Sequence, residues 1–122
     1  MRRLKDESLR EFVERLITTL RGQARNAALR GKPTMWAYYL RMEAEVIRVY
    51  SPALERNEDA IIEAARSVEQ QARRMCLLST ESGPGDKALW YACSVYARMI
   101  LRAAGEHERG WIGWLKDEGR KM

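Results

Sequence analysis

Two pairs of arginines, each set one helical turn apart, are the residues of this chain best suited to do chemistry. Arg21 and Arg25 form one pair; Arg98 and Arg102 form the other. Like charges at this spacing on a helix repel by about 0.2–0.5 kcal/mol. Neither pair has an acid close by in sequence. The window from Arg15 to Met42 contains Arg15, Arg21, Arg25, Arg30, Lys32 and Arg41 and no carboxylate, and the window from Lys87 to Gly105 is also free of acid. Nothing local offsets the repulsion, so an external anion or an acidic surface is expected to. In the second window, helical spacing places Tyr91, Ser94, Arg98 and Arg102 on one narrow strip. An aromatic ring beside two guanidinium groups can grip a phosphate backbone and stack on a base. The candidate nucleic-acid contacts are therefore Arg21, Arg25, Arg30, Lys32, Tyr91, Arg98 and Arg102. Alternatively, the strip is its helix's only solvent-facing side, or it pairs with carboxylates of the third helix such as Glu63 or Glu69. Arg73 and Arg74 add charge on that third helix and read as ordinary solvated residues.

Catalysis is poorly provided for, and no catalytic residue is assigned. The one histidine, His107, stands between Glu106 and Glu108 and reads as a surface residue. Cys76 and Cys93 both fall in apolar helical patterns, where a thiol is a small buried hydrophobe rather than a nucleophile. Neither has a second Cys or a His at ligand spacing, so no metal and no cofactor is expected. The Gly83-Pro84-Gly85 loop lacks the following Gly-Lys-Ser/Thr of a phosphate cradle, and Pro84 removes an amide donor. Glu45, between Arg41 and Arg48, reads as part of a self-neutralised surface strip.

The elements that must position these residues are helices. Helical periodicity runs almost throughout, with no strand-and-hairpin pattern and no internal repeat. The expectation is an all-α, single-domain bundle of about five helices covering residues 1–122. The first runs from about Asp6 to Arg30, with Ser8 and Glu11 at capping-box spacing that would start it a turn later. Its apolar stripe is Leu9, Phe12, Val13, Leu16, Ile17, Leu20, Ala24 and Ala27, and Gly31-Lys32-Pro33 ends it. The second, about Thr34 to Tyr50, is apolar over more than half of its circumference, so it is either central or covered by a partner. Ser51-Pro52 is expected to break it. A third helix runs from near Asn57 to about Leu78, with Ile61, Ala64, Ala65, Val68, Ala72, Met75 and Cys76 inward. After the loop at Ser79 to Asp86, Asp86 is expected to cap a fourth helix, Lys87 to Ala104, ended by Gly105. A short fifth helix, Glu106 to about Glu118, offers Trp111, Trp114 and Leu115 as a protein interface or as a cap on the bundle.

Composition bounds the rest. With 122 residues, 46 % of them apolar, the chain is not a disordered one. At this length a chain buries roughly 65 % of its unfolded surface and needs no disulfide or metal to hold a core. The start, Met1 to Glu7, turns acidic where a secretory signal would turn apolar, and the apolar stretch from Ala88 to Ala104 carries Arg98 and Arg102. A cytoplasmic protein with no membrane association is expected. Net charge is +5, and 17 arginines stand against 5 lysines. That bias follows either from a GC-rich coding sequence or from a use for arginine's planar fork on phosphate or carboxylate.

In size, basic charge and helical make-up the chain is similar to the small helical subunits of CRISPR effector complexes. The resemblance lies at the level of the fold, with no shared motif, and it assigns no residues. It implies a non-enzymatic role in antiviral defence, binding the RNA or DNA backbone beside other protein subunits. The alternative is an adaptor or inhibitor of the kind encoded by phages and plasmids, presenting an arginine-rich face to an acidic protein. The second helix's extra apolar side also admits a homo-oligomer.

Overall fold

The capping box at Ser8 is formed. The Ser8 hydroxyl accepts from the Glu11 amide at 3.1 Å and the Glu11 carboxylate accepts from the Ser8 amide at 3.2 Å, so α1 spans Leu9–Leu29. A computed structural model describes residues 1–78 and 84–105, with side chains for 1–75 and 87–105. Within these it contains three further helices, α2 (Pro33–Leu54), α3 (Glu58–Leu78) and α4 (Pro84–Ala103), and no strand. The segment expected to form a fifth helix lies outside the described residues, as do His107, Trp111, Trp114 and Leu115 and the side chain of Cys76.

The ends of the helices follow from local chemistry. Arg30 is the C-cap of α1, and Gly31 beyond it takes φ 68°, a left-handed conformation that costs glycine little. The Lys32 amide reaches Ala27 O at 2.9 Å and the Gly31 amide reaches Ala28 O at 3.1 Å, the paired bonds of a Schellman turn. The Asn57 side chain accepts from the Ala60 amide at 2.8 Å to start α3. Gly105, with φ 81°, follows the end of α4. Loss of the first cap is measurable. Ser8→Ala is expected to lower stability by about 1 kcal/mol in urea titrations; an unchanged midpoint would mean that α1 starts without its cap.

Two expected boundaries are corrected. α2 does not break at Ser51-Pro52 but runs on to Leu54. Pro52 has no donor for the carbonyl of Arg48 and so removes one ladder bond, and of the four residues gained beyond Tyr50, Ala53 is buried and Leu54 packs on the core. α4 starts at Pro84, not after Asp86. Proline at the first helical position has its φ preset and needs no donor there, so Asp86 falls within the helix rather than ahead of it.

The helices run up and down and share one core. Phe12, Leu16 and Leu20 of α1, Met42, Val46 and Tyr50 of α2, Ile61 and Ala65 of α3, and Leu89, Ala97 and Ile100 of α4 are all buried in it. The α1 stripe is buried as its spacing predicts, with Ile17 at its margin. Met75, expected inward, is 37 % exposed. α1 packs mainly on α2 and α3 mainly on α4, with a thinner seam between the two hairpins. Across the seam, Glu58 of α3 accepts from the Leu9 amide at 3.2 Å, and Arg3 donates to Ala103 O at 2.9 Å. The start of α1, the start of α3 and the end of α4 therefore share one end of the bundle. The α1–α2 turn lies about 30 Å away, one helix length of 21 residues.

Candidate nucleic-acid interface

The acid-free window of residues 15–42 is not acid-free in space. Carboxylates reach it from just beyond both of its ends. Arg15 bonds Glu7 at 2.7 and 2.9 Å, and this bonded guanidinium holds the Glu7 carboxyl below its ordinary range. Its guanidinium carbon also lies 5.5 Å from the centre of the Phe12 ring. Arg21 bonds Glu43 of α2 at 2.8 Å. The expectation that nothing local offsets the Arg21/Arg25 repulsion is therefore wrong for Arg21. Antiparallel packing brings the first acid after the window back beside its middle. Arg41 engages a partner as well.

What remains of the window is its centre. Arg25, Arg30 and Lys32 are exposed and make no ion pair among the described residues. The Schellman turn places Arg30 and Lys32 at one corner of the bundle, and Arg25 lies just over a turn before it on α1. Lys32 joins two shallow clefts there. One carries Gln23, Asn26, Arg30, Met35 and Tyr39; the other carries Ala28, Pro33 and Trp36. The apolar surplus of α2 also surfaces at this corner, with Met35, Trp36 and Leu40 between 41 % and 44 % exposed and Leu29 of α1 at 79 %. The sequence singles out the basic residues but not Trp36, which merges there with the apolar side of α2. Its place next to a proline-started helix end, beside Lys32, is the signal that could have found it.

The second window does not build the strip that its spacing suggests. Tyr91 is 53 % exposed, but Ser94 is fully buried and Arg98 only half-exposed. α4 is turned so that this flank dips under its neighbours, and the strip is interrupted between Tyr91 and Arg102. Arg98 and Arg102 each engage a partner, so they are not the unpaired couple that the sequence implies. Arg102 instead borders an open cleft with Arg2, Arg3 and Met99 at the end of the bundle remote from the α1–α2 corner. The seven candidate residues therefore separate. Arg25, Arg30 and Lys32 gather at one end, Arg21 is neutralised on the flank, and Arg102 joins Arg2 and Arg3 at the other end. Arg2 and Arg3 escape a reading of the sequence because their neighbour in this cleft lies about a hundred positions away along the chain.

Other pairings place charge without leaving it available. Arg48 bonds Glu45 at 2.8 Å, as the self-neutralised reading of that strip expects. Arg73 is not solvated: it is 1 % exposed, with Nη2 2.6 Å from Glu69 Oε1. Cys93 is buried, and burial pushes its thiol up to about 11, so it stays protonated near neutrality. Among the described residues no group of three or more His, Cys, Asp or Glu side chains could hold a metal ion, and no helix is long and apolar enough to cross a membrane. Comparison of the chain with known protein families, with characterised proteins and with solved structures finds no match.

Proposed function

We propose that this protein is a cytoplasmic, non-enzymatic helical subunit that binds the backbone of RNA or DNA, beside other proteins, through its α1–α2 corner. One observation carries this reading. Arg25, Arg30 and Lys32 are exposed towards this end of the bundle, with no ion pair among the described residues, and Lys32 shares a cleft with the exposed Trp36. Cations release condensed counterions from a phosphate chain, and an aromatic face next to them takes a base without regard to its identity. Binding of this kind is salt-dependent and carries little sequence preference. Arg2, Arg3 and Arg102 form a second, weaker basic site about a helix length away, within reach of the same strand.

The test is oligonucleotide binding by fluorescence anisotropy at several salt concentrations. Replacing Arg25, Arg30 and Lys32 together by alanine is expected to lower the slope of log affinity against log salt by about 2, at roughly 0.7–0.9 for each phosphate no longer neutralised. Arg98→Ala with Arg102→Ala is expected to lower it less, because Arg98 is only half-exposed. No binding by the native protein at low salt, or an unchanged slope in the triple variant, rejects the corner as the nucleic-acid site.

A second reading is favoured by Leu29, Met35 and Leu40, which make the same corner apolar as well as basic. In this reading it docks on an acidic protein surface, as an adaptor or inhibitor would. Pull-down from the source cell separates the two: nuclease treatment releases the partners of a nucleic-acid-binding subunit and leaves a direct protein partner bound.

A further inference from the structure

Lys32 is common to the two shallow clefts of the α1–α2 corner, and the two differ in chemistry. The first, about 220 Å³, is bounded by Ala28, Gly31, Pro33 and Trp36. Trp36 is 43 % exposed, and apart from its indole N–H and the Lys32 ammonium this lining has no polar side-chain group. The second, about 160 Å³, combines Met35 and Tyr39 with the side-chain amides of Gln23 and Asn26, and Arg30 borders it. A flat ring in the first cleft is held by stacking and by little else. The second adds amides that can both donate and accept. An anion on Lys32 therefore has a place for a ring in each of two adjoining clefts, which is the arrangement of a nucleotide step: one phosphate and the two bases that flank it.

A duplex cannot use this arrangement. Its bases are paired and stacked on one another, and along its length it shows phosphates and base edges. Only a single strand can splay its bases onto protein rings. Cations alone favour the duplex, whose phosphates are more closely spaced along the axis and release more counterions for each contact. Arg25, Arg30 and Lys32 thus supply affinity without selecting a single strand. An exposed aromatic ring beside them is what reverses that preference.

We propose that the ligand of the corner is a single strand and that Trp36 selects it, an inference that rests on the corner being the nucleic-acid site. Lys32 holds the phosphate between two successive nucleotides. The base on one side of that phosphate stacks on Trp36, and the base on the other lies against Tyr39 and Met35. Stacking on Trp36 accepts any base, so the selection is for strandedness and not for sequence.

The probes are a fluorescent oligothymidylate of about 20 nucleotides, which pairs with nothing in itself, and a duplex of the same length. Anisotropy titrations of both at matched salt are expected to show the native protein tighter on the single strand. Trp36→Ala is expected to weaken the single strand about tenfold, the loss of one stacked base, and to leave the duplex unchanged. Its salt slope on the single strand is expected to stay that of the native protein, because no cation is removed. Trp36→Phe keeps a ring and is expected to retain most of the single-strand affinity; circular dichroism confirms that both variants remain folded. A native protein that binds the duplex as tightly as the single strand overturns the proposal. So does Trp36→Ala that weakens both probes alike or neither. Those outcomes leave the corner standing as a site for phosphate backbone, whereas a native protein that binds neither probe at low salt removes that reading and this one together.

Discussion

Glu69→Ala is expected to lower the unfolding free energy by about 3 kcal/mol, the usual effect of removing one partner from a buried ion pair. Arg73 is 1 % exposed, and its Nη2 lies 2.6 Å from Glu69 Oε1, one turn earlier on α3. Arginine does not give up its proton in a protein, so it cannot escape burial by becoming neutral. Without Glu69 the charge stays in the interior, deprived of its nearest carboxylate. The matched variant tests whether the charge or the space matters. Glu69→Leu combined with Arg73→Met keeps the bulk and removes both charges, and is expected to fall within about 1 kcal/mol of the native protein. Guanidinium chloride titrations read both. A single variant as stable as the native chain would show that the pair contributes nothing. A double variant as weak as the single one would mean that shape, not charge, is at stake.

Phe12→Ala is expected to cost about 4 kcal/mol, and to lower the melting temperature by roughly 15 °C. The ring is fully buried near the start of the α1 stripe, and the Arg15 guanidinium lies over it. With a total stability of about 5–15 kcal/mol expected for a domain of this kind, such a loss consumes a large fraction of it. Leu4→Ala is the control, since Leu4 is 61 % exposed and its removal is expected to change stability by no more than about 0.5 kcal/mol. Calorimetric scans of the two decide it. A loss below about 2 kcal/mol for Phe12→Ala would show that the core closes over the gap.

The helices are legible in the sequence because their signals are local. Ser8 and Glu11, three residues apart, start α1, and Gly31 ends it; the stripe from Leu9 to Ala27 needs only its period. The two boundaries that differ, at Pro52 and Pro84, share a cause. Proline reads as a breaker, whereas at the first helical position it costs no bond, as at Pro84, and inside a helix it costs one, which burial of Ala53 and Leu54 offsets at Pro52. The charged residues are less legible. Arg21 looks unopposed because Glu43 lies twenty-two positions away and comes close only when α2 folds back. Arg73 looks solvated because nothing in its neighbourhood on the chain marks the rotation of α3 against α4. Ser94 and Arg98 mislead for the same reason. A helical wheel gives relative angles, and the packing of α3 against α4 sets the absolute one. Arg30 and Lys32 are exposed as expected because they stand in a tight turn, where no neighbouring helix can cover them, and Arg25 because it lies on the side of α1 away from its buried stripe.

The arrangement as two hairpins has a kinetic consequence. Most of the packing joins helices adjacent in the chain, across connections of only a few residues, so the entropic cost of closing long loops is met late and in small part. Such low contact order favours rapid folding, and each hairpin is a natural cooperative unit. During synthesis the N-terminal pair leaves the ribosome first. The corner that carries Arg25, Arg30, Lys32 and Trp36 belongs wholly to that pair and can take shape before α3 exists. The seam between the two pairs needs both and is among the last features to form.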